Sequence, residues 1–285
     1  MPYLIRLLAF STLLTGVFSI PAGAEVVRLH GSQVGARVIA AAGPLLREKA
    51  IDVKVGTEGG SSGGIQAATS GMADIAMTTR PLKAADRAQH PDKRLEEVVI
   101  GYQCLAFIVA EDVWAGGVRA LSKEQLLGIY EGTTRNWKEV GGADRPIKFY
   151  SPEPNKPTWD FFVTYLYGDI RKAPLGSFEV VTGGQEARDS VEFNAGSASV
   201  ASPSWANARG VYALGVKENG TVLEPSAENV RTGTYPLVRP VLLITAATPG
   251  GDVRRLLEIM LSPPGQEAVR KSDLLTATAA APPAR

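Results

Sequence analysis

The sequence has little of the residue types on which most catalytic and metal sites depend. It contains one cysteine, Cys104, and two histidines, His30 and His90, in 285 residues. A single cysteine excludes a disulfide framework, and one cysteine with two separated histidines cannot complete a closed zinc site. The patterns G-x-x-x-x-G-K-[ST] and G-x-G-x-x-G are absent as well. We therefore expect no metal ion and no cofactor.

An excess of charge of either sign is also missing. The chain carries 30 basic and 29 acidic side chains, and its formal net charge is +1. Nucleic acids and anionic membrane surfaces select proteins with a basic excess. The charge balance therefore excludes both as main partners.

A long apolar run occurs near the beginning of the sequence. Met1–Arg6 carries one positive charge, Leu7–Ile20 is mostly apolar, and Ala22-Gly23-Ala24 fits the A-x-A cleavage pattern. The run is shorter than the roughly 20 residues that a spanning helix needs. These features predict a cleaved secretory signal peptide, Met1–Ala24, and an exported soluble protein that begins at Glu25. No cysteine follows the cleavage site, so a lipid anchor is not expected.

From Glu25 onwards, short β-like runs alternate with segments of helical periodicity, which predicts an α/β fold with largely parallel sheets. The predicted strands are 26–29, 53–55, 74–77, 98–101, 105–109, 147–150, 211–216 and 238–245. The predicted helices are 34–49, 64–72, 122–131, 158–167, 185–193, 251–261 and 265–271. Ser122 and Gln125 form a capping box for one of these helices. The Ala/Pro/Thr-rich tail, residues 276–285, is expected to be loose.

Cysteine and tryptophan side chains are predicted to pack rather than to react or bind. Cys104 lies in the apolar run V-V-I-G-Y-Q-C-L-A-F-I-V, which indicates a buried and inert thiol. Trp114, Trp137 and Trp205 are assigned to packing or to the lobe surfaces, with no ligand role.

The stretch G-T-E-G-G-S-S-G-G at Gly56–Gly64 allows two interpretations. Residues 59–63 match G-x-S-x-G, the nucleophile elbow of many hydrolases. Alternatively, glycines and free N–H groups at the start of a helix form a site for an anion, with hydroxyls from Ser61 and Ser62. A turn in which a serine merely caps the helix explains the residues nearly as well.

The hydrolase interpretation lacks a base. His30 precedes the serine, whereas the α/β-hydrolase order places the histidine last, and His90 lies in a polar stretch. Thr57-Glu58-Gly59-Gly60 also separates the preceding strand from the serine. We therefore expect that the protein is not an enzyme.

Several segments of the chain resemble the periplasmic phosphate-binding proteins of ABC transporters, the PstS-like family. The segments that carry the resemblance are G-S-Q-V at 31–34, G-G-S-S-G-G-I at 59–65, A-D-I-A-M-T-T-R-P-L-K at 73–83, L-S-K-E-Q-L-L-G-I-Y-E-G at 121–132, N-W-K-E-V-G-G at 136–142, Y-P-L-V-R-P at 235–240 and L-S-P-P-G-Q at 261–266. Among these, N-W-K-E-V-G-G and Y-P-L-x-R-P are specific to that family.

The resemblance implies a two-lobed type II periplasmic binding protein that closes on inorganic phosphate and delivers it to an ABC transporter permease. It also implies a location in the periplasm, and we expect a monomer. We predict lobe 1 at residues 25–102, lobe 2 at 103–208 and a return to lobe 1 at 209–275, with crossings within Gly101–Cys104 and near Ala208–Tyr212.

The resemblance also suggests ligand-binding residues in both lobes. Three loops of lobe 1 contribute Ser32 and Gln33, then Ser61, Ser62 and Gly63, and then Thr79 and Arg80. Lobe 2 contributes Lys156 and Thr158. Charge from Arg80 and Lys156 and the N–H groups of the glycine loop would together neutralise an anion.

The sequence departs from the family pattern at several of these positions. Gln33 stands where relatives usually have threonine, and Thr79 stands where some have an aspartate that accepts the proton of hydrogen phosphate. The family's R-x-x-x-S-G-T falls on Pro152, Lys156, Pro157 and Thr158, so an arginine and a backbone donor are lost.

These departures leave other functions open. The ligand could be another small oxyanion or a phosphonate, or the protein could be a ligand-free sensor or scaffold of the same fold. Lys156 and Thr158 could serve the helix rather than a ligand, since Pro157 is well suited to a first helical position.

Overall fold

The structure is a computed structural model that describes residues 26–89, 91, 93–154, 156–174, 178–206 and 209–277. The predicted signal peptide, His90 and most of the C-terminal tail lie outside the described residues. No described helix is both long and apolar enough to cross a membrane.

Thirteen strands are formed by the described residues. They are β1 (Val27–Gly31), β2 (Val53–Gly56), β3 (Ile75–Thr78), β4 (Leu95–Cys104), β5 (Ala106–Ala110), β6 (Ala120–Ser122), β7 (Lys148–Pro152), β8 (Glu179–Val181), β9 (Ser197–Ala201), β10 (Val211–Glu218), β11 (Thr221–Leu223), β12 (Val238–Ala246) and β13 (Leu275–Thr276).

Ten α-helices accompany these strands in the described part of the chain. They are α1 (Gln33–Glu48), α2 (Gly60–Ser70), α3 (Ala84–Gln89), α4 (Glu111–Ala115), α5 (Lys123–Glu131), α6 (Pro157–Tyr167), α7 (Gly184–Glu192), α8 (Ala227–Arg231), α9 (Gly251–Leu261) and α10 (Pro263–Lys271). Short 3-10 helices occur at Trp137–Val140, Ile170–Lys172 and Pro203–Trp205.

The strands form two sheets. The first has the order β13-β4-β12-β3-β1-β2, and we call it, with its flanking helices, lobe 1. The second has the order β11-β10-β5-β9-β7-β8, with β6 beside β10, and we call it, with its helices, lobe 2. The predicted α/β fold with two lobes is confirmed.

Both sheets are mixed, which corrects the prediction of largely parallel sheets. β1 pairs in parallel with β2 and β3, and β7 pairs in parallel with β8 and β9. β12 runs antiparallel to β3 and β4, and β5 runs antiparallel to β9 and β10. The antiparallel pairs arise because the strands that lead between the lobes return against the direction of the β-α-β units.

The chain crosses between the lobes at two adjacent points. β4 pairs with β12 from Cys104 and Val238 onwards, and Leu105 N donates to Leu237 O at 2.9 Å. The return was predicted near Ala208–Tyr212, whereas β10 and β11 still pair within the second sheet. The return strand is therefore β12, because the hydrogen bonds of β10 are to β5, β6 and β11.

Lobe 1 packs α1 against its sheet. The Oγ of Ser32 caps α1 by accepting from the N–H of Val34 at 3.2 Å, and apolar residues at helical spacing face inward. These buried residues of α1 are Val34, Val38, Ile39, Ala42 and Leu46. The predicted helix at 34–49 is confirmed, with both ends one residue earlier in the chain.

Lobe 2 has an aromatic core. Trp137, Tyr130 and Phe162 are buried, and the rings of Tyr130 and Phe162 meet edge to face at 5.9 Å. The Nε1 of Trp159 donates to the hydroxyl of Tyr130 at 3.0 Å, which satisfies a buried polar group. The predicted capping box of Ser122 and Gln125 is present at the start of α5.

The predicted inert thiol is confirmed. Cys104 is 1% exposed, and burial raises the pKa of its thiol to about 12. The thiolate, which is the reactive form, is therefore not populated at neutral pH.

Two boundaries differ from the predictions in ways that concern a candidate site. α2 begins at Gly60, four residues before the predicted start, because Gly59 and Gly60 adopt φ of 71° and 54° and turn the chain into the helix early. Thr276, the first residue of the tail that was expected to be loose, instead pairs with Gly101 of β4.

Candidate anion-binding site

A cavity of about 350 Å³ lies between the two lobes. Lobe 1 contributes Gln33 and Arg37 from α1 together with Asp273. Gln103, on the strand that leaves lobe 1, also borders the cavity. Lobe 2 contributes the loop from β7 into α6, the start of α7, the end of β9 and the indole of Trp205. The volume is at the lower end of the roughly 300–1,000 Å³ typical of small-molecule sites.

Three loops of lobe 1 lie at one edge of its sheet. β1, β2 and β3 run parallel, so the residues that follow Gly31, Gly56 and Thr78 are neighbours. α1 and α2 both begin at this edge. The predicted lobe 1 residues are therefore brought to the same end of the sheet, and two helix N-termini point there.

The glycines of this edge are required by close packing. A Cβ on Gly63 would lie 2.4 Å from the Glu58 carbonyl oxygen, and a Cβ on Gly64 would lie 2.5 Å from that of His30. A side chain at Gly64 would separate the start of α2 from the end of β1, and one at Gly63 would displace the loop that leads into α2. The glycine-rich stretch thus serves helix packing as well as any ligand.

Ser61 connects the start of α2 to the end of β3. Its Oγ accepts from the backbone N–H of Thr79 at 3.1 Å and lies 3.5 Å from the Thr79 hydroxyl. The ring of His30 is bonded elsewhere, since its Nε2 lies 2.9 Å from the Glu58 carbonyl oxygen. Among the described residues no histidine activates Ser61, which removes the geometric basis for the hydrolase interpretation.

Arg80 forms an ion pair within lobe 1. Its guanidinium donates to both carboxylate oxygens of Asp86, at 2.6 and 3.2 Å, and more weakly to the hydroxyl of Ser62 at 3.4 Å. Hydrogen bonds from Arg80 hold the pKa of Asp86 below its ordinary value. The positive charge that we predicted for a ligand is thus largely compensated.

Lys156 and Thr158 border the cavity on the side of lobe 2. Pro157 occupies the first helical position of α6. Because proline has no backbone N–H group, this position cannot donate a hydrogen bond to a ligand. The Nζ of Lys156 lies 3.8 Å from a carboxylate oxygen of Glu153, and 55% of the Lys156 side chain is exposed. The lysine is therefore a partly solvated charge at the mouth of the cavity.

A second helix start in lobe 2 borders the cavity; the helix was predicted at 185–193, but its first residues were not assigned to a ligand. Gly183 caps α7, whose first residue is Gly184, and both border the cavity. A Cβ on Gly184 would lie 2.1 Å from the Nε1 of Trp205, so the glycine lets the indole cover the start of the helix. The pair of glycines just before a helical pattern, the same signal as Gly59-Gly60, could have indicated that this helix start belongs to the site.

Trp205 and Asp273 both border the cavity. The Nε1 of Trp205 is buried without a hydrogen-bond partner among the described residues. Burial raises the pKa of Asp273, while the charge of Arg37 and the indole of Trp205 oppose this shift. The prediction that Trp205 would have only a packing role missed its place on the cavity wall.

The nine predicted ligand residues fall into two groups. Gln33, Lys156 and Thr158 border the cavity. Ser32, Ser61, Ser62, Gly63, Thr79 and Arg80 lie at the lobe 1 edge described above and do not border it. The residues that sequence reasoning overlooked are Arg37, Gln103, Gly184, Trp205 and Asp273.

The arrangement fits an anion better than a metal. α1, α6 and α7 all begin at the cavity, so their dipoles favour negative charge there. No group of three or more histidine, cysteine, aspartate or glutamate side chains that could hold a metal ion occurs within the described residues.

Comparison with known proteins identifies the family. A model of the PBP superfamily domain matches residues 20–263. The chain belongs to the PBP superfamily.

Individual members of this superfamily are similar to the chain over most of its length. A phosphate-binding protein PstS of Staphylococcus saprophyticus is 29% identical over 206 residues, which are 69% of this chain and 62% of that protein. The match therefore spans less than two thirds of the length of that curated relative. Relatives named in this way are binding proteins, in agreement with the prediction that the chain is not an enzyme.

Solved structures extend the similarity to the PBP fold. An ABC-type phosphate transport receptor from Vibrio cholerae is 25% identical with a TM-score of 0.71, and the match covers 88% of this chain and 100% of that one. A substrate-binding protein from Clostridium perfringens with bound phosphate is 28% identical with a TM-score of 0.59, over 88% and 99% of the two chains. This PBP superfamily member therefore has the fold of such receptors.

Proposed function

We propose that this protein is an extracytoplasmic receptor that captures inorganic phosphate between its two lobes and delivers it to an ABC transporter permease. The observation that carries the proposal is the convergence of the first residues of α1, α6 and α7 on one cavity between the lobes. Helix starts bind tetrahedral oxyanions through backbone N–H groups and the helix dipole. The names of the PstS and Vibrio relatives support phosphate as the anion.

In this proposal each lobe contributes half of the binding site. Gln33 and Thr158 face the ligand from the starts of α1 and α6, and Lys156 adds positive charge at the mouth. Closure of the lobes would bring the lobe 1 edge, with Ser61 and Thr79, towards the same anion. Ser32, Ser62, Gly63 and Arg80 support that edge through the cap of α1, the start of α2 and the ion pair with Asp86.

Export and a monomeric state belong to the same proposal. The N-terminal sequence Met1–Ala24 has the features of a cleaved signal peptide, and release of the remaining chain into the periplasm would place it beside the permease. We also propose that the lobes divide at Cys104 and Leu237, where the two crossings lie side by side.

A different small oxyanion or a phosphonate is the second candidate ligand. Pro157 removes a backbone donor at the start of α6, and Thr79 replaces a carboxylate that could accept a proton from hydrogen phosphate. A site with these changes discriminates less between protonated and fully ionised oxyanions. A scaffold or sensor that has lost its ligand is the remaining alternative.

The decisive experiment is calorimetric titration of residues 25–285 with phosphate, sulfate and methylphosphonate, after bound anion has been removed by unfolding and refolding. We expect the tightest binding with phosphate. Tighter binding of sulfate or methylphosphonate would show that the altered loop into α6 has changed the specificity. No heat with any of the three, from a protein that refolds cooperatively, would contradict the receptor function.

A pair of variants tests the position of the site. Thr158→Val removes a hydroxyl at the cavity with little change in shape, and we expect phosphate affinity to fall by roughly fivefold or more. Thr221→Val makes the same change on the exposed strand β11 and should leave affinity unchanged. Equal affinities of the two variants would mean that the anion binds elsewhere.

A further inference from the structure

Gln103 occupies an unusual place between the lobes. It lies on β4 one residue before the first crossing, is 2% exposed, and nevertheless borders the cavity. A buried amide side chain carries two donors and an acceptor, and each normally has a partner. The identity of these partners decides what the residue does.

The acceptor end of Gln103 is bonded to an arginine. Arg239 is its direct neighbour on β12, and the Nε of Arg239 donates to the Oε1 of Gln103 at 2.9 Å. A guanidinium can only donate, so the atom that faces Arg239 must be the amide oxygen. The NH2 group of Gln103 therefore points away from the arginine.

The donor end of Gln103 has no hydrogen-bond partner among the described residues, and the residue borders the cavity. Within the described residues, the bond from Arg239 is the only hydrogen bond that the Gln103 side chain makes. Its Nε2 is not enclosed by protein either, since it is not among the fully buried atoms that lack a partner. The amide N–H groups are thus available to a ligand between the lobes.

Arg239 itself is held firmly in position. It donates to the carbonyl oxygen of Pro157 at 3.3 Å, and its guanidinium stacks on the ring of Phe161 at 4.3 Å. Burial lowers its pKa to about 10, an effect that Asp160 partly offsets, so the side chain is charged at neutral pH. One side chain thus connects both crossing strands to the first turn of α6.

We propose that Gln103 is a ligand-binding residue, whose Nε2 donates a hydrogen bond to an oxygen of the bound oxyanion, and that Arg239 is the residue that positions it. This inference rests on the proposed receptor function. The bond from Arg239 fixes the orientation of the amide, and the charge of Arg239 polarises it. The polarised Nε2 then donates a stronger hydrogen bond to the anion, although Gln103 itself is neutral. The contact comes from the crossing strands, which the nine residues predicted from the sequence do not include.

Because Arg239 bonds to the Oε1 of Gln103, the amide cannot flip, and its Nε2 can act only as a donor to the ligand. In Gln103→Glu, the new carboxylate keeps and strengthens the bond to Arg239 but replaces the donor with negative charge. We expect phosphate affinity to fall by roughly tenfold to a hundredfold, the range for a hydrogen bond to a charged group. The melting temperature without ligand should stay the same or rise, because the new carboxylate forms an ion pair with Arg239 in place of the neutral hydrogen bond.

If Gln103 had a purely structural role, Gln103→Glu would keep its phosphate affinity, and Gln103→Met would lose stability without losing affinity. The proposal predicts a different result for Gln103→Met. In Gln103→Met the side chain is similar in size but has no hydrogen bonds, so both the melting temperature and the affinity should fall. Gln266→Met is the matched control, because Gln266 is a buried glutamine of lobe 1 whose Nε2 donates to Ile100 O and Met260 O. That variant should lose stability and keep its phosphate affinity.

The positioning role of Arg239 is tested by a double-mutant cycle. If Arg239 acts through Gln103, then Arg239→Met should weaken phosphate binding less in the Gln103→Met background than in the unaltered protein. Additive losses would show that Arg239 does not act through Gln103. The measurement is calorimetric affinity for phosphate, with the melting temperature of each variant recorded alongside.

The outcomes separate this inference from the receptor function on which it rests. Phosphate binding by Gln103→Glu as tight as that of the unaltered protein would overturn the role of Gln103 and leave the receptor function standing. Failure of the unaltered, folded protein to bind phosphate, sulfate or methylphosphonate would overturn both.

Discussion

Arg80 and Asp86 form a two-point ion pair at the lobe 1 edge, with nitrogen–oxygen distances of 2.6 and 3.2 Å. About a quarter of the Arg80 side chain is exposed, so the pair is partly shielded from solvent. The guanidinium of Arg80, which the sequence predicted to bind the ligand, is therefore already paired with a carboxylate of the same lobe. The carboxylate of Asp86 is thus the anionic partner of Arg80 in this structure.

Removal of the acid at position 86 should release Arg80. In Asp86→Asn the guanidinium loses its charged partner, so we expect phosphate affinity to rise by roughly threefold or more if Arg80 approaches the anion on closure. Asp169→Asn, which removes the partner of Arg171 in lobe 2, is the control. Calorimetry on both variants provides the comparison, and an unchanged affinity for Asp86→Asn would place Arg80 outside the site.

The same pair predicts a pH dependence of stability. Bonds from Arg80 lower the pKa of Asp86 in the folded protein, so the contribution is complete above the unfolded value of about 3.9 and is lost as the pH falls through the folded value. The loss of stability on acidification in that range should be smaller in Asp86→Asn. Thermal unfolding between pH 2 and 7 would reveal it, and parallel curves would exclude the pair as a cause.

Lys156 and Glu153 set the charge at the mouth of the cavity. Because the lysine is 55% exposed and lies 3.8 Å from the glutamate, its attraction for an anion is screened by water. We expect Lys156→Met to weaken phosphate binding by only about twofold to fivefold.

Glu153→Gln should have the opposite effect, because it removes a negative charge from the cavity wall. Lys217→Met, on the exposed side of β10, is the matched control for the lysine. Titrations at low and high salt should show that both effects shrink as salt is added. A large, salt-independent loss in Lys156→Met would instead indicate a direct, buried contact with the anion.

Asp273 should make the protein more stable in acid than a solvated aspartate would. Burial raises the pKa of Asp273 in the folded state, so stability decreases as the pH rises from the unfolded value of about 3.9 through the folded value. Asp273→Asn should therefore raise the melting temperature at pH 7 and have little effect near pH 4. Asp144→Asn, at an exposed carboxyl whose pKa is lowered by Lys138, should not raise it at pH 7.

A melting temperature that is equal or lower in Asp273→Asn at pH 7 would show that the favourable electrostatic effects of Arg37 and Trp205 outweigh the cost of burial. These two residues are the ones that lower the pKa of Asp273.

Local patterns were sufficient for most elements but failed for a central strand. β9, with the sequence S-A-S-V-A, is buried along its whole length between β5 and β7. It was not predicted, because two of its five residues are serines. The hydroxyls of Ser197 and Ser199 are bonded to the carbonyl oxygens of Val191 and Tyr150, at 3.0 and 2.8 Å. Val191 is 6 residues from Ser197 and Tyr150 is 49 residues from Ser199, and a periodicity argument reveals neither partner.

At the candidate site, too, local features were predicted from the sequence and interactions between segments were not. The starts of α1 and α6 were predicted to within one residue, because capping residues and proline act on the nearest turn of the chain. The compensation of Arg80 by Asp86 was missed, although only six residues separate the two, because their side chains meet only when α3 folds back on the end of β3. Gln103 was missed because an amide in an apolar strand has no distinctive pattern.

The sequence by itself determined the α/β class, most helix starts, the buried thiol of Cys104 and the identity of the family. Each of these follows from interactions within a few residues or from motifs that are read directly along the chain. Only the tertiary structure decided that Gln33, Gln103, Thr158 and Asp273 share one cavity, and that Arg80 does not border it. The reason is physical: hydrogen bonds and ion pairs between distant segments depend on how two sheets and their crossing strands pack. A pattern that spans a few residues carries no information about which distant segments meet in the folded protein.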